Sequence, residues 1–321
     1  AHPASSNEEG FMLASLANAL GVRNLDHRIK QLDFADEAVA EVFNARVADI
    51  EKAGSIVLVG CNIRHEMPLL HQRIHQAVKR GAKVHVINPV DFEFTFDTAT
   101  KAIVPPSKIA DSLKALAATL DEGSVLILGE IAENHGDASH IRAAAKALQQ
   151  AGKASICRLP QGANAIGLGQ HGVLPGEGGR HADAMLNGDL KSMLLFGIEP
   201  QFDFSDTTRA VKALVSANVV ACSPYVTESL KELADVILPI GLLPEIQATL
   251  TNVDGRDQRA EAAGKLPGSA QSGWRVLRAL YDAASLPAMP FTDIEGLRSG
   301  LTIQKVVSST GLSPKHAASD G

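Results

Sequence analysis

Short, wholly apolar runs recur along this chain, each followed by a longer amphipathic stretch, and that alternation leaves few folds open. The first run is Ser55-Ile56-Val57-Leu58-Val59-Gly60. A run so short and so apolar fits a strand buried on both faces, as in a parallel sheet. Pro68 to Arg80 follows with helical spacing: Leu70, Ile74, Ala77 and Val78 share a face, and Gly81 ends it. Lys83–Asn88 is the next strand, which completes a β-α-β unit. Helix Ser107–Leu120 leads to strand Ser124–Leu128, and helix Ala138–Ala151 to strand Ala154–Arg158. Strand Ser192–Phe196, helix Asp206–Ser216, strand Asn218–Cys222, helix Val226–Leu233 and strand Val236–Leu238 resume the pattern. The expected class is α/β, with two lobes and mostly parallel sheets.

Other segments frame this core. Ser6 and Glu9 have the spacing of a capping box; Leu13, Leu16, Ala17 and Leu20 then predict a helix that Gly21 stops. A second helix is expected over about Ala35 to Ala53, with Val39, Val42, Phe43, Val47 and Ile50 on its apolar face. Leu159 to Arg180 holds two prolines and seven glycines and reads as a long glycine-rich loop. Gly273–Ala284 is a last helix with the lone Trp274, and the polar tail after about Val307 is expected to be mobile. A length of 321 residues suits two domains. The expected division is 1–35 with 151–285 as a discontinuous first lobe, 36–150 as a second, Rossmann-like lobe, and 286–321 as a C-terminal extension, partly mobile.

Composition removes several functions. A net charge of −6 and an aromatic content of 4% argue against a nucleic-acid binder, which needs clustered cations and stacking rings. Cys61, Cys157 and Cys222 are far apart and form no C-x-x-C, so no local zinc or iron–sulfur site is expected. They suggest a reducing compartment. No apolar run reaches the roughly 18 to 20 residues of a membrane span, so no direct insertion is expected. No signal peptide is visible, and a start at Ala1 suggests processing or a piece of a longer chain.

In parallel sheets, ligands bind beyond the carboxyl ends of the strands. The loops to inspect are Gly60–Glu66, Asn88–Phe94, Gly129–Asp137, Gly197–Ser205, Ser223–Glu228 and Ile240–Gln247. Gly167-Leu168-Gly169-Gln170-His171-Gly172 matches G-x-G-x-x-G, but the context reads as a flexible loop rather than a dinucleotide fingerprint. His71 and His75 share a helix face without a third metal ligand, and His135, Asp137 and His140 read as a helix start. No G-x-S-x-G occurs, and Cys61 at a strand end reads as a structural thiol. No catalytic or metal-binding residue is assigned. Five stretches remain: Gly60-Cys61-Asn62, Gly162-Ala163-Asn164, Gly197-Ile198-Glu199-Pro200, Ala234-Asp235-Val236-Ile237-Leu238-Pro239, and Thr251-Asn252-Val253-Asp254-Gly255-Arg256-Asp257-Gln258.

Taken in order, these stretches resemble the molybdopterin oxidoreductase family. Ser5–Glu9 and Asn24–Arg28 are similar to the start of its cofactor-binding region, and its "ADVILP" and "N-x-x-GR-x-Q" signatures recur at Ala234–Pro239 and Asn252–Gln258. The likeness runs from about residue 4 to 285 and implies a formate dehydrogenase/DMSO reductase-like fold of the domain II and III type. Asp26–Phe34 resembles the branch found in the large G-type (75-kDa-type) subunit of NADH-quinone oxidoreductases, the respiratory complex I. Catalytic relatives carry a Cys, selenocysteine or Ser molybdenum ligand in this region, and none occurs from Leu25 to Glu51. Asn88 stands where binders of the guanine dinucleotide tend to have Asp.

The resemblance therefore implies a non-catalytic relic without molybdopterin, with iron–sulfur clusters only in a preceding part of the subunit. Implied partners are that cluster-bearing part and other peripheral-arm subunits, on the cytoplasmic face of a bacterial inner membrane. Gly60, Asn62, Asn88, Gly162, Asn164 and Glu199 are the candidates for any cleft that survives. Two alternatives stand beside this reading: a fragment of a molybdopterin-dependent dehydrogenase, and a free-standing α/β small-molecule binding module.

Overall fold

Five parallel strands make the larger sheet: β1 (Ser55–Val59), β2 (Lys83–Asn88), β3 (Thr100–Ile103), β4 (Ser124–Leu128) and β5 (Ala154–Arg158), in the order β3-β2-β1-β4-β5. The structure is a computed structural model that describes residues 1–301; the polar tail beyond Val307 lies outside the described residues. All five residues of β1 are buried. Ile56 and Leu58 pack on one side with Leu70 and Ile74 of the helix Pro68–Lys79. Val57 and Val59 pack on the other with Ile109, Leu113, Ile141 and Leu148 from two further helices. Each such side chain contributes about 1.5–3 kcal/mol by burial, which is why the run carries no polar residue between Ser55 and Gly60.

The smaller sheet is also parallel: β6 (Ser192–Phe196), β7 (Asn218–Ser223) and β8 (Val236–Pro239), in sequence order. Leu195, Val219 and Ala221 face Ala210, Leu214 and Leu230. Phe196 and Cys222 face Met12, Leu16, Trp274 and Leu277, so the helices Asn7–Ala19 and Gly273–Ala283 cover that side. The first of these begins as its spacing predicts: the Ser6 side chain accepts from the Glu9 amide, and the Glu9 carboxylate accepts from the Ser6 amide at 2.8 Å.

Several expectations need correction. The helix expected over Ala35–Ala53 shrinks to Val47–Ile50. Tertiary partners take the backbone instead: Phe43 N donates to Val253 O and Asn44 N to Ile156 O, so apolar spacing there serves separate contacts rather than one helix face. The loop after Asn88 contains β3, an exposed edge strand without an apolar run. The glycine-rich stretch contains the helix Ala165–Gln170, and a second short helix, Ala182–Met185, follows it. Gly167 and Gly169 are buried, and a Cβ on Gly167 would lie 2.8 Å from Thr251 Oγ1. Close packing, not looseness, therefore selects glycine there.

The hairpin β9 (Ala248–Thr251) and β10 (Asp257–Ala260) was also not anticipated. Strand β5 pairs with β4 along its whole length, so the larger sheet runs past the boundary drawn after residue 150. Phe291 and Leu297 are buried in the smaller lobe's core, so the described part of the C-terminal extension belongs to that lobe. Among the described residues no helix is long and apolar enough to cross a membrane.

Candidate functional site

A cleft of about 540 Å³ opens where the larger sheet's strand order reverses, beyond the carboxyl ends of β1, β4 and β5. Glu66 and Met67 follow β1, Glu130 follows β4, and Leu159 to Ala163 follow β5. The opposite wall comes from His2, Pro3, the His27–Lys30 segment and the Thr251–Val253 turn.

The wall at the switch point is built from backbone outward. Gly60 ends β1 at φ +53, and its carbonyl accepts from the amides of Ile131 at 3.0 Å and Ala132 at 3.3 Å. A Cβ there would come within 2.5 Å of Ala132 N, so the loops after β1 and β4 touch only because residue 60 is glycine. Asn88 is fully buried; its Oδ1 accepts from Cys61 N at 2.7 Å and its Nδ2 donates to Cys61 O at 3.0 Å. Both residues thus hold the loop after β1.

That loop brings Glu66 into the crevice. Its Oε1 accepts from Asn62 N at 2.5 Å and its Oε2 from Glu130 N at 2.7 Å. These amides point at the place where a phosphate sits in dinucleotide-binding folds, and the chain's own carboxylate stands on them. Burial pushes the Glu66 carboxyl up; the two amides oppose that shift and the Glu130 charge adds to it. Lys30 Nζ lies 3.9 Å from Glu130, with both side chains about half exposed, so this ion pair is loose.

Between β4 and β5 the strand ends are filled by charge. Arg158 donates to Glu133 at 2.8 and 2.7 Å. Arg142, 2% exposed, donates to Glu133 at 3.3 Å and to Asp36 at 2.6 and 2.7 Å. Arg142 also binds Asp33 O, and Ser139 N binds the Asp33 carboxylate at 2.7 Å. This lattice pins the extended 33–41 segment against the larger lobe.

His27 is 1% exposed and lines the cleft. Its Nδ1 is 2.7 Å from Val173 O. A carbonyl only accepts, so Nδ1 carries the proton and Nε2 is left as an acceptor. That Nε2 is buried and has no hydrogen-bond partner. Burial pushes the ring's pKa down to about 4, against the pull of Asp26, so the imidazole is neutral near pH 7. Burial alone would raise Asp26, but the Arg28 guanidinium, at 2.9 and 3.0 Å, holds its carboxyl below the ordinary range.

Of the six candidate residues, Gly162 alone lines the cleft, with φ +109 and its Cα against Pro3. Asn62 contributes its amide to Glu66, while its own Oδ1 is buried without a partner. Asn164 is a buried pin: Nδ2 donates to Ser5 O at 2.7 Å and to Asn7 Oδ1 at 3.0 Å, and Oδ1 accepts from Thr251 N at 2.8 Å. Glu199 follows β6 in the smaller lobe, where its Oε2 accepts from Thr227 Oγ1 at 2.7 Å. Gly60 and Asn88 lie behind the wall.

Sequence reasoning missed Glu66, Glu130, His27 and Lys30 as individuals, although the first two fall in loops marked for inspection. His71 is buried against Phe94 and Phe96, and no group of three metal-ligating side chains occurs among the described residues. All three cysteines are buried; burial pushes Cys157 and Cys222 up to about 12 and Cys61 well above the ordinary thiol range. None is a thiolate near pH 7.

Comparison with known proteins agrees with this architecture. The chain is 25% identical over 304 residues to the mitochondrial NADH-ubiquinone oxidoreductase 78 kDa subunit of Neurospora crassa, covering 89% of this chain and 39% of that protein. It is 24% identical over 282 residues to the NADH-ubiquinone oxidoreductase 75 kDa subunit of Reclinomonas americana, covering 84% and 39%. The chain thus spans about two fifths of the length of these relatives. A chain of the formyltransferase/hydrolase complex from Methylorubrum extorquens superposes with a TM-score of 0.59 at 14% identity, covering 88% of this chain and 89% of that one, a likeness of fold. The family model described as "Molybdopterin oxidoreductase" matches residues 1–283, nearly all of the described structure, and the chain belongs to that family.

Proposed function

We propose that this chain is a cofactor-free, non-catalytic scaffold of the molybdopterin-oxidoreductase type within the large subunit of an NADH-quinone oxidoreductase. In this reading electrons pass from NADH to quinone through iron–sulfur clusters outside the chain. Its partners are the cluster-bearing part of the same subunit and neighbouring peripheral-arm subunits, on the cytoplasmic face of a bacterial inner membrane. The relatedness to 75 and 78 kDa subunits supports the assignment to that complex.

One observation carries the cofactor-free reading. The Glu66 carboxylate bonds the amides of Asn62 and Glu130 at the strand-order reversal, and Glu130 adds a second negative charge beside it. A pyrophosphate-bearing pterin does not fit this wall: its phosphates would meet two carboxylates instead of free amides. The Arg158–Glu133–Arg142 lattice fills the neighbouring strand ends in the same way. In addition, no Cys or Ser lies between Leu25 and Glu51, in the segment that forms part of the cleft wall.

The test is metal and pterin analysis of the purified chain and of the intact complex. Molybdenum and tungsten are expected to be absent from the chain, and affinity capture from native membranes is expected to return the cluster-bearing subunits. Stoichiometric molybdenum with an extractable pterin would overturn the reading in favour of a molybdopterin-dependent dehydrogenase.

A further inference from the structure

The cleft is large and accessible even though its walls are unsuited to phosphate. Its volume of about 540 Å³ lies within the roughly 300–1,000 Å³ of small-ligand sites. The chemistry of its lining is lopsided. The Glu66 and Glu130 carboxylates and the neutral His27 ring line it, beside the uncharged polar side chains of Gln161, Thr251 and Asn252. Among the described residues that line it, Lys30 is the one lysine or arginine, loosely paired at 3.9 Å. His2 also lines the cleft, but burial lowers its pKa, against Asp203, so it adds little positive charge near neutrality. Arg28 borders the adjoining recess but is committed to Asp26.

Two features show that this acceptor set is incomplete. The buried Nε2 of His27 has no donor, and a buried acceptor without a donor is destabilising. Its protonation is fixed by the bond from Nδ1 to Val173 O, so only an incoming N–H or O–H can satisfy it. Glu66 uses one lone pair on each oxygen for the Asn62 and Glu130 amides, and a carboxylate offers about four such sites. The Cys61 thiol takes a third, which leaves about one for an incoming donor, on a carboxylate that the two amides hold in place.

We propose that the cleft is a binding site for a small organic cation bearing N–H donors, an ammonium or a guanidinium, with Glu66 and Glu130 holding the charge and His27 Nε2 accepting one N–H. Glu66 is the residue that sets this specificity. By occupying the amides at the switch point it replaces an anion and presents negative charge to the cleft. The site does not depend on the scaffold reading, since it uses only the walls of the cleft.

The experiment is calorimetric titration of the whole chain at low ionic strength with agmatine, which carries both an ammonium and a guanidinium, and in parallel with inorganic pyrophosphate and GDP. Agmatine is expected to bind saturably at one site, and the two phosphates not to bind. Glu130→Gln keeps the backbone amide that Glu66 needs and is expected to weaken agmatine about tenfold. Glu66→Gln is expected to weaken it at least as much, and Lys30→Gln to tighten it, because the competing internal cation is gone. The proposal is overturned if agmatine does not bind, if neither Glu130→Gln nor Lys30→Gln changes its affinity, or if pyrophosphate binds more tightly. These outcomes leave the molybdenum content of the chain untouched, so the site and the scaffold reading fail separately.

Discussion

The two lobes share a parallel-sheet plan but close their cores differently. In the larger lobe the five strands and the helices between them come from one stretch, 55–158, and β1, β2, β4 and β5 are buried mainly by elements of that stretch. The smaller lobe has three strands from 192–239, and one sheet face is covered by distant segments, the helices Asn7–Ala19 and Gly273–Ala283 together with Phe291 and Leu297. Its closure relies on long-range polar ties. Arg298 Nε donates to Glu8 Oε1 at 2.7 Å across 290 residues, with both side chains nearly inaccessible, and Thr249 N and Oγ1 donate to the same carboxylate at 2.9 and 2.6 Å. Both lobes combine apolar cores with buried ion pairs, but the larger lobe's network centres on Glu133, Arg142 and Arg158, close in sequence, whereas the smaller lobe's Glu8–Arg298 pair joins residues 290 apart.

That contrast can be broken most sharply at Arg298. Arg298→Met leaves Glu8 buried without its counter-ion, and breaking a buried pair costs about 3–5 kcal/mol. Hydrogen exchange is expected to show lost protection in the helix Asn7–Ala19 and strand β9, with β1 and β4 unchanged. Equal loss in β1 and β4 would mean the lobes do not open separately. Leu58→Ala is the converse test. It removes a fully buried side chain from the larger core and is expected to cost about 2–5 kcal/mol, with exposure confined to the larger sheet and its helices.

The smallest effect is a pH dependence. Burial pushes the Glu9 carboxyl from 4.5 up to about 7, so the fold holds that proton more tightly than the unfolded chain does. Its contribution to stability is whole below pH 4.5 and is lost as pH rises to about 7. His27 has the opposite sign: its contribution is whole above pH 6.5 and is lost as pH falls to about 4. Glu9→Gln is expected to gain on the parent in urea midpoint as pH rises from 4.5 to 7, and to leave the acid limb set by His27. A parallel pH profile in parent and variant would remove Glu9 as the source of the loss.

Much of this fold was legible because parallel strands buried on both faces must be apolar throughout. That is why β1, β2, β4 and β5 could be read with nearly correct ends. Strand β3 was not legible: as an exposed edge its Thr-Lys-Ala-Ile needs no apolar run. The 35–53 segment misled for a related reason. Phe43 and Ile50 are buried, as their spacing suggests, but Phe43 reaches the larger core from non-helical chain, where its amide and that of Asn44 bond to Val253 and Ile156, and Ile50 reaches it from the one short helix Val47–Ile50. At the cleft, Asn88 and Asn164 have the small polar character that suits a ligand's approach, yet both spend it on this chain's own backbone.

The sequence by itself determined the α/β class, the two parallel sheets, the capping of the first helix and the family resemblance, because periodicity and ordered motifs are local. Only the tertiary structure decided which polar groups face the cleft. Glu66 reaches the amide of Glu130, 64 residues away, and Arg142 reaches Asp36 across 106 residues. The spacing of apolar residues says which side of an element is buried. It does not say which distant donor a carboxylate will meet, and that meeting places the chain's own negative charge on the amides of the switch point.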